Sequence, residues 1–302
     1  MSTAPFILLQ VFAFLWAASL GSFLNVVIYR LPLGMSLSRP GSRCSSCLTP
    51  IRWFDNVPVL SWWVLRGRCR ACGARFSPRY MLIELVCGVL GLALWRSTVD
   101  PLDPDTFTTM MALWIWLQIF VFSLVAIAFI DLEHTFIPEE ISIPVIILGL
   151  AGGFFIPGLD PLPQVFGALV GGGFLLAVTG VGWLIYRREA MGLGDAMLLA
   201  LIGAFLGVAA LPFVLVAAAC QAMVAVIVAR LYQRATGRSA GLTLTTEELD
   251  ARFGDTERHA DLASHTVIPF GPFLALGALE ALFFGHDLIW RLADALVALV
   301  VA

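Results

Sequence analysis

Eight apolar runs, each close to the length that crosses a bilayer, leave this chain little choice of fold. They cover about 5–28, 81–95, 109–130, 141–156, 162–186, 196–211, 212–229 and 267–284 of its 302 residues, and runs of this length and apolarity read as helices. The stretch from Ala196 to Ala229 is too long for one crossing, and Pro212 is the place to break it. A short run at 288–302 carries Arg291 and Asp294 and reads as an interfacial or partial ninth helix. The first run has no basic residues ahead of it and is long enough to span, so it reads as an uncleaved anchor rather than a signal peptide. Composition agrees: 60% hydrophobic residues, 13% charged and a mean hydropathy of +0.91 describe a polytopic membrane protein, not a soluble domain. The expected fold class is all-α, with about eight transmembrane helices and one small polar insertion.

Arginine gives the orientation, because all 18 basic residues are arginine. Nine lie between Arg30 and Arg79, Arg187 and Arg188 form a second group, and five run from Arg230 to Arg258. With eight alternating crossings the three groups fall on one side, which the positive-inside bias assigns to the cytoplasm. The opposite connection carries Asp100, Asp103 and Asp105. The chain thus divides into a first transmembrane helix at 1–30, a cytoplasmic insertion at 31–80, and a bundle at 81–302 with a long inner loop at 230–266. Topology accounts for the basic residues, and a net charge of −3 with a pI near 5.8 argues against a nucleic-acid partner. The pairs Gly167/Gly171 and Gly203/Gly207 have the spacing of close helix packing.

The insertion holds two CxxC knuckles, Cys44/Cys47 and Cys69/Cys72, separated by 21 residues. Zinc takes four thiolates tetrahedrally, and two such knuckles each supply two ligands from one tight turn. A closed four-sulfur shell leaves no position for water, so the metal would be structural, tying down a loop too small to build a core. Two disulfides or a redox pair are the competing readings, and a cytoplasmic location disfavours structural disulfides. Cys87 and Cys220 lie in apolar runs and read as small hydrophobes.

Two carboxylates sit at the ends of apolar runs, Asp131 after Phe129-Ile130 and Asp195 in Gly192-Leu193-Gly194-Asp195. An acid within hydrocarbon costs roughly 2.5–3.5 kcal/mol on the lenient insertion scale and is by default a functional hypothesis. In the alternating topology both meet the cytoplasmic face. Two carboxyls sharing a site do not both ionise readily, so one can act as base while the other donates a hydrogen bond. Gly192 and Gly194 suit the close approach of an extended peptide backbone. Against this stands the plainer possibility that both aspartates only cap or snorkel at helix ends. Glu133 and His134 read as a solvated helix end or as groups that tune Asp131. Glu139 and Glu140 suit a helix start or substrate binding equally, and Glu84 suits an ion pair with an insertion arginine or a substrate groove.

The segment Gly21-Ser22-Phe23-Leu24-Asn25-Val26-Val27-Ile28-Tyr29-Arg30-Leu31-Pro32, the paired knuckles, Arg79-Tyr80 with Glu84, Asp131 with Ile137-Pro138-Glu139, Gly192-Leu193-Gly194-Asp195 and Ile268-Pro269-Phe270-Gly271-Pro272-Phe273 together resemble the bacterial prepilin peptidase family over nearly the whole chain. That resemblance implies an intramembrane aspartic protease of the bacterial inner membrane with Asp131 and Asp195 as its dyad. It implies cleavage of the short basic leader of type IV prepilins and type II secretion pseudopilins on the cytoplasmic side. Relatives with the cysteine insertion commonly also methylate the new amino terminus with S-adenosylmethionine; no Gly-rich loop after a strand marks a nucleoside site here.

Other classes fit less well. The four histidines form no HExxH pattern, which excludes a zincin, and Gly237-Arg238-Ser239-Ala240-Gly241 matches the serine-hydrolase GxSxG without its strand-turn-helix setting. Thr245-Thr246-Glu247-Glu248 reads as the start of a short capped helix within the 230–266 loop. A peptidase without methylation, a proton- or ion-coupled transporter and a zinc-stapled scaffold without catalysis stay open. The transporter is disfavoured by carboxylates at one face rather than the midplane.

Overall fold

The computed structural model describes residues 4–100, 105–186, 192–236 and 269–285. Among the described residues each of the eight apolar runs contributes a helix: α1 Ala4–Arg30, α3 Arg79–Thr98, α4 Phe107–His134, α5 Glu139–Phe155, α6 Pro161–Tyr186, α7 Leu193–Leu206, α8 Leu211–Thr236 and α9 Gly271–Gly285, with a short α2, Leu60–Val64, inside the polar insertion. Five of them, α1, α3, α4, α6 and α8, are long and apolar enough to cross a membrane. At 17 and 14 residues α5 and α7 are shorter, as is α9. No strand forms among the described residues; the insertion carries only the isolated bridges Arg43↔Pro50 and Arg68↔Arg75.

The long apolar stretch after Asp195 breaks earlier than Pro212. Proline is tolerated in the first turn of a helix, where its missing N–H has no intrahelical partner, and Pro212 is the second residue of α8. The interruption falls at Gly207, whose φ of +75° and ψ of 172° suit only glycine. At the other end α8 continues to Thr236, so the first residues of the 230–266 loop are helix. The rest of that loop, with Ser239, Thr245, His259 and His265, and the run at 288–302 lie outside the described residues.

α4 is the axis of the bundle. In its most apolar window 72% is covered by the rest of the protein, against 17% for α6 and for α8, whose apolar surface is left largely uncovered among the described residues. Trp114, Phe120, Leu124, Ile127 and Ile130 are fully covered along α4. Trp116 and Phe120 stack on Phe205 of α7 at ring separations of 4.5 and 4.7 Å, and Trp116 donates its indole N–H to the Leu148 carbonyl of α5 at 3.0 Å.

Hydrocarbon gives no hydrophobic drive between helices, so close packing of small residues holds them. On α6 and α7, Gly167 and Gly203 face each other so closely that a Cβ on either would overlap the carbonyl of the other. The sequence spacing of these glycines thus marks a true seam. On α1 and α3, Gly91 lies against Ala17, and Asn25 donates to the Tyr80 carbonyl at 3.1 Å. α9 is tied to α8 by the Gln221 amide, which donates to the Glu280 carboxylate at 2.8 Å. Glu280, an acid in an apolar helix, was unmarked by any sequence motif.

Candidate active site and metal centre

α4 ends because Thr135 takes a left-handed conformation, φ 56° and ψ 37°, and returns its N–H to the Asp131 carbonyl at 2.8 Å. That stop leaves Asp131 on the last turn, 5% exposed. A helix N-terminus carries N–H groups without intrahelical partners, and α9 aims one of them at this carboxylate: Gly271 N–H donates to Asp131 Oδ2 at 3.0 Å. Glycine is needed there, since a Cβ would lie 2.5 Å from the same oxygen.

Asp195 occupies the first turn of α7, half-buried, behind an extended Gly192 that caps the helix without a side chain. Ile137 joins the two acids' surroundings. A Cβ on Gly194 would lie 2.9 Å from Ile137 Cβ, and one on Gly271 would lie 3.4 Å from Ile137 Cδ1. The end of α4, the link at 135–138 and the starts of α7 and α9 therefore converge on one isoleucine, with Asp131 and Asp195 within Coulombic reach of each other. The two glycines of the GxGD sequence differ in setting. Gly194 is closed by Ile137, whereas a Cβ on Gly192 would meet only Asp195 Oδ2 and the Gly194 nitrogen, both in ordinary contact at 3.9 Å.

Gly271 and Ile137 belong to motifs already noted, yet the sequence assigned them no part in the site. The Gly-Pro pair ahead of an apolar run is the available signal, because it marks a helix start with free N–H groups. Gly271→Ala is expected to displace the Asp131 carboxylate and reduce turnover of a peptide substrate by roughly 10²-fold, the cost of about 1 Å of misplacement at a reacting centre. The check is turnover by protein whose helix content and detergent elution match the parent.

The same face carries further charge. Arg79, at the start of α3, forms an ion pair with Glu133 of α4, so Glu133 is engaged across helices rather than solvated. His134 has its ring 6.2 Å from that of Phe136. Glu139 and Glu140 occupy the first turn of α5, exposed, where negative charge complements the helix dipole. The Arg79 pair fixes the insertion's exit on the side where both aspartates lie.

The four cysteines meet. Their Sγ atoms all lie within 4.8 Å of one another, with Cys44 to Cys72 at 3.8 Å and Cys47 to Cys69 at 3.9 Å. A disulfide needs about 2.05 Å, and all four thiols are free. A tetrahedron with Zn–S bonds of about 2.3 Å has edges of about 3.8 Å, so the donor set fits that ion. The knuckles are near-copies: Leu48 and Gly73 follow the second cysteine of each in positive φ, at 59° and 73°. The side-chain hydroxyl and backbone N–H of Thr49 hold Cys47 down to about 6. Cys72, despite the Ala74 backbone N–H, is pushed up to about 12 by the neighbouring sulfurs, Cys47 first, and by burial. Four sulfurs this close call for a cation between them.

Beside the knuckles, the Arg70 guanidinium grips Asp55 through Nε at 2.9 and 3.0 Å and holds that carboxylate below its usual range. Glu84 makes no ion pair with an arginine of the insertion among the described residues; it accepts the Val59 N–H at 2.7 Å.

Two family models match the chain: bacterial peptidase A24 N-terminal domain over residues 15–98 and type IV leader peptidase family over residues 118–227. The second range contains Asp131 and Asp195. A prepilin leader peptidase/N-methyltransferase of Myxococcus xanthus is 36% identical, the match covering 92% of this chain and 91% of the relative. Proteins of the same name from Dichelobacter nodosus and Aeromonas hydrophila are 31% and 32% identical, with 92% and 93% of each chain covered. No solved structure matches.

Proposed function

The chain belongs to the type IV leader peptidase family, and from that premise we propose that it is a membrane aspartic endopeptidase that removes the basic leader of type IV prepilins and type II secretion pseudopilins and methylates the amino terminus it exposes. The observation that carries the reading is the convergence of Asp131 and Asp195 around Ile137 and Gly271. One carboxyl of the pair keeps a proton and the other is charged. The charged member takes a proton from a water whose oxygen attacks the scissile carbonyl carbon, and the neutral member hydrogen-bonds the carbonyl oxygen as it gains charge. Collapse of the tetrahedral carbon breaks the C–N bond, and the departing nitrogen takes the proton.

The arginine distribution supports a cytoplasmic active face in a bacterial inner membrane. A substrate with a basic leader and an apolar helix then presents its junction at the level of the two acids. Gly192, where a Cβ would meet only ordinary contacts, suits the approach of an extended backbone, and exposed Glu139 suits a cationic leader. The insertion at 31–80 acts as a zinc-stapled unit on Cys44, Cys47, Cys69 and Cys72, and the bundle at 81–302 carries the peptidase. That the relatives are N-methyltransferases as well as peptidases supports methylation, with S-adenosylmethionine the donor proposed here. The chain brings the substrate to that chemistry as a freshly released amine.

The test is incubation of the purified full chain with a prepilin, with and without S-adenosylmethionine, and mass analysis of the product. The expected product is mature pilin, one methyl heavier when the donor is present. Intact prepilin in both samples would overturn the assignment, and an unmethylated product in both would reduce it to a peptidase.

A further inference from the structure

The insertion exposes apolar surface that its cysteine centre does not use. Leu60, Trp63 and Val64 of α2 are 58, 64 and 75% exposed, and their i, i+3, i+4 spacing puts them on one face of the helix. Trp62 points the other way, against Gly67. In water such a face is a liability, whereas Trp and aliphatic residues on one face of a helix suit the boundary between lipid headgroups and acyl chains.

The attachment of α2 sets its depth. Val59, which caps the helix, adopts φ 64° and ψ −50°, a strained turn for a β-branched residue, with the Leu60 N–H returned to the Pro58 carbonyl at 2.6 Å. Glu84 holds that turn by accepting the Val59 N–H at 2.7 Å. Glu84 lies five residues into the membrane-crossing helix α3, about 7.5 Å beyond Arg79 at 1.5 Å per residue. Interfacial helices bury their apolar face about 5–10 Å into that boundary. Arg66, two residues past the end of the helix, is exposed.

We propose that α2 is an interfacial helix: Leu60, Trp63 and Val64 lie in the headgroup layer of the membrane that the chain itself spans, Arg66 meets anionic lipid phosphates, and Glu84 is the pin that sets the depth. The inference needs only that α1 and α3 cross the bilayer, so it stands or falls independently of the peptidase reading. Charge also favours anionic lipid over a basic leader, since the nine arginines from Arg30 to Arg79 attract the first and repel the second.

The test places a benzoylphenylalanine photo-crosslinker at position 63, or at position 46 as a control in the first knuckle, in the full chain. The protein is reconstituted in nanodiscs of phosphatidylethanolamine and phosphatidylglycerol, irradiated, and digested for mass analysis. Lipid adducts are expected at 63 and not at 46. In protein that retains its metal, Glu84→Ala should reduce the adduct at 63 by roughly tenfold, the weight of a hydrogen bond to a charged group, and Glu84→Gln, which keeps the acceptor, should restore it. Adducts at 63 to protein peptides alone, whether from 237–268 or from a second copy, would overturn the proposal. So would equal lipid yield at 46 and 63, or no lipid adduct at 63.

Discussion

Asp131→Asn and Asp195→Asn are each expected to lower prepilin cleavage by roughly 10³-fold or more, within the range that general acid–base catalysis contributes. The substitution keeps shape and removes only the ability to gain and lose a proton. Asp131 is 5% exposed and holds the Gly271 N–H, and an asparagine oxygen can still accept that bond, so the packing of α4 against α9 should survive. Residues that act as a unit are not additive, so the double variant should be hardly slower than either single one. The measurement is cleavage rate beside helix content and zinc content. Cleavage near the parental rate in either single variant would remove the dyad from the mechanism, leaving the acids as helix caps.

Cys44→Ser, in the buried member of the tetrad, should empty the metal centre. Structural zinc in four-ligand sites is worth about 10–16 kcal/mol near neutral pH, whereas the net stability of a whole domain is about 5–15 kcal/mol. A segment of this size, held besides its knuckles by the Arg70–Asp55 and Arg79–Glu133 pairs and the Val59–Glu84 hydrogen bond, cannot absorb that loss. Metal analysis should fall from about one zinc per chain to a trace, and limited proteolysis should open the chain within 31–80 while α4 and α7 stay protected. A chelator of sufficient affinity should reproduce both effects. Unchanged zinc in the variant would defeat the assignment, and disulfide-linked peptides in the parent would defeat both it and the cytoplasmic placement.

The legible parts of this molecule are those with local signals. The knuckles can be read directly because the x₂ spacing confines two ligands to one turn, and the apolar runs can be read because crossing a bilayer needs a fixed length. The break falls at Gly207 and not at Pro212, because proline interrupts a helix in its interior but is accommodated in its first turn. Gly271 meets Asp131 across 140 residues, and no periodicity carries that contact. Glu84 shows the same limit from another side. Its residue type suggested a partner cation, while the group it holds is a backbone N–H that any residue at position 59 except proline would supply.

The shortness of α7 bears on how a hydrolase obtains its second substrate inside a membrane. Fourteen residues rise about 21 Å, and a hydrocarbon core is about 30 Å thick. With the far end of α7 at the outer boundary, its first turn sits roughly 9 Å short of the inner one. In that placement Asp195, on that turn, would open onto a dimple in the leaflet, and the water that the proposed hydrolysis consumes would reach it without any channel through the lipid.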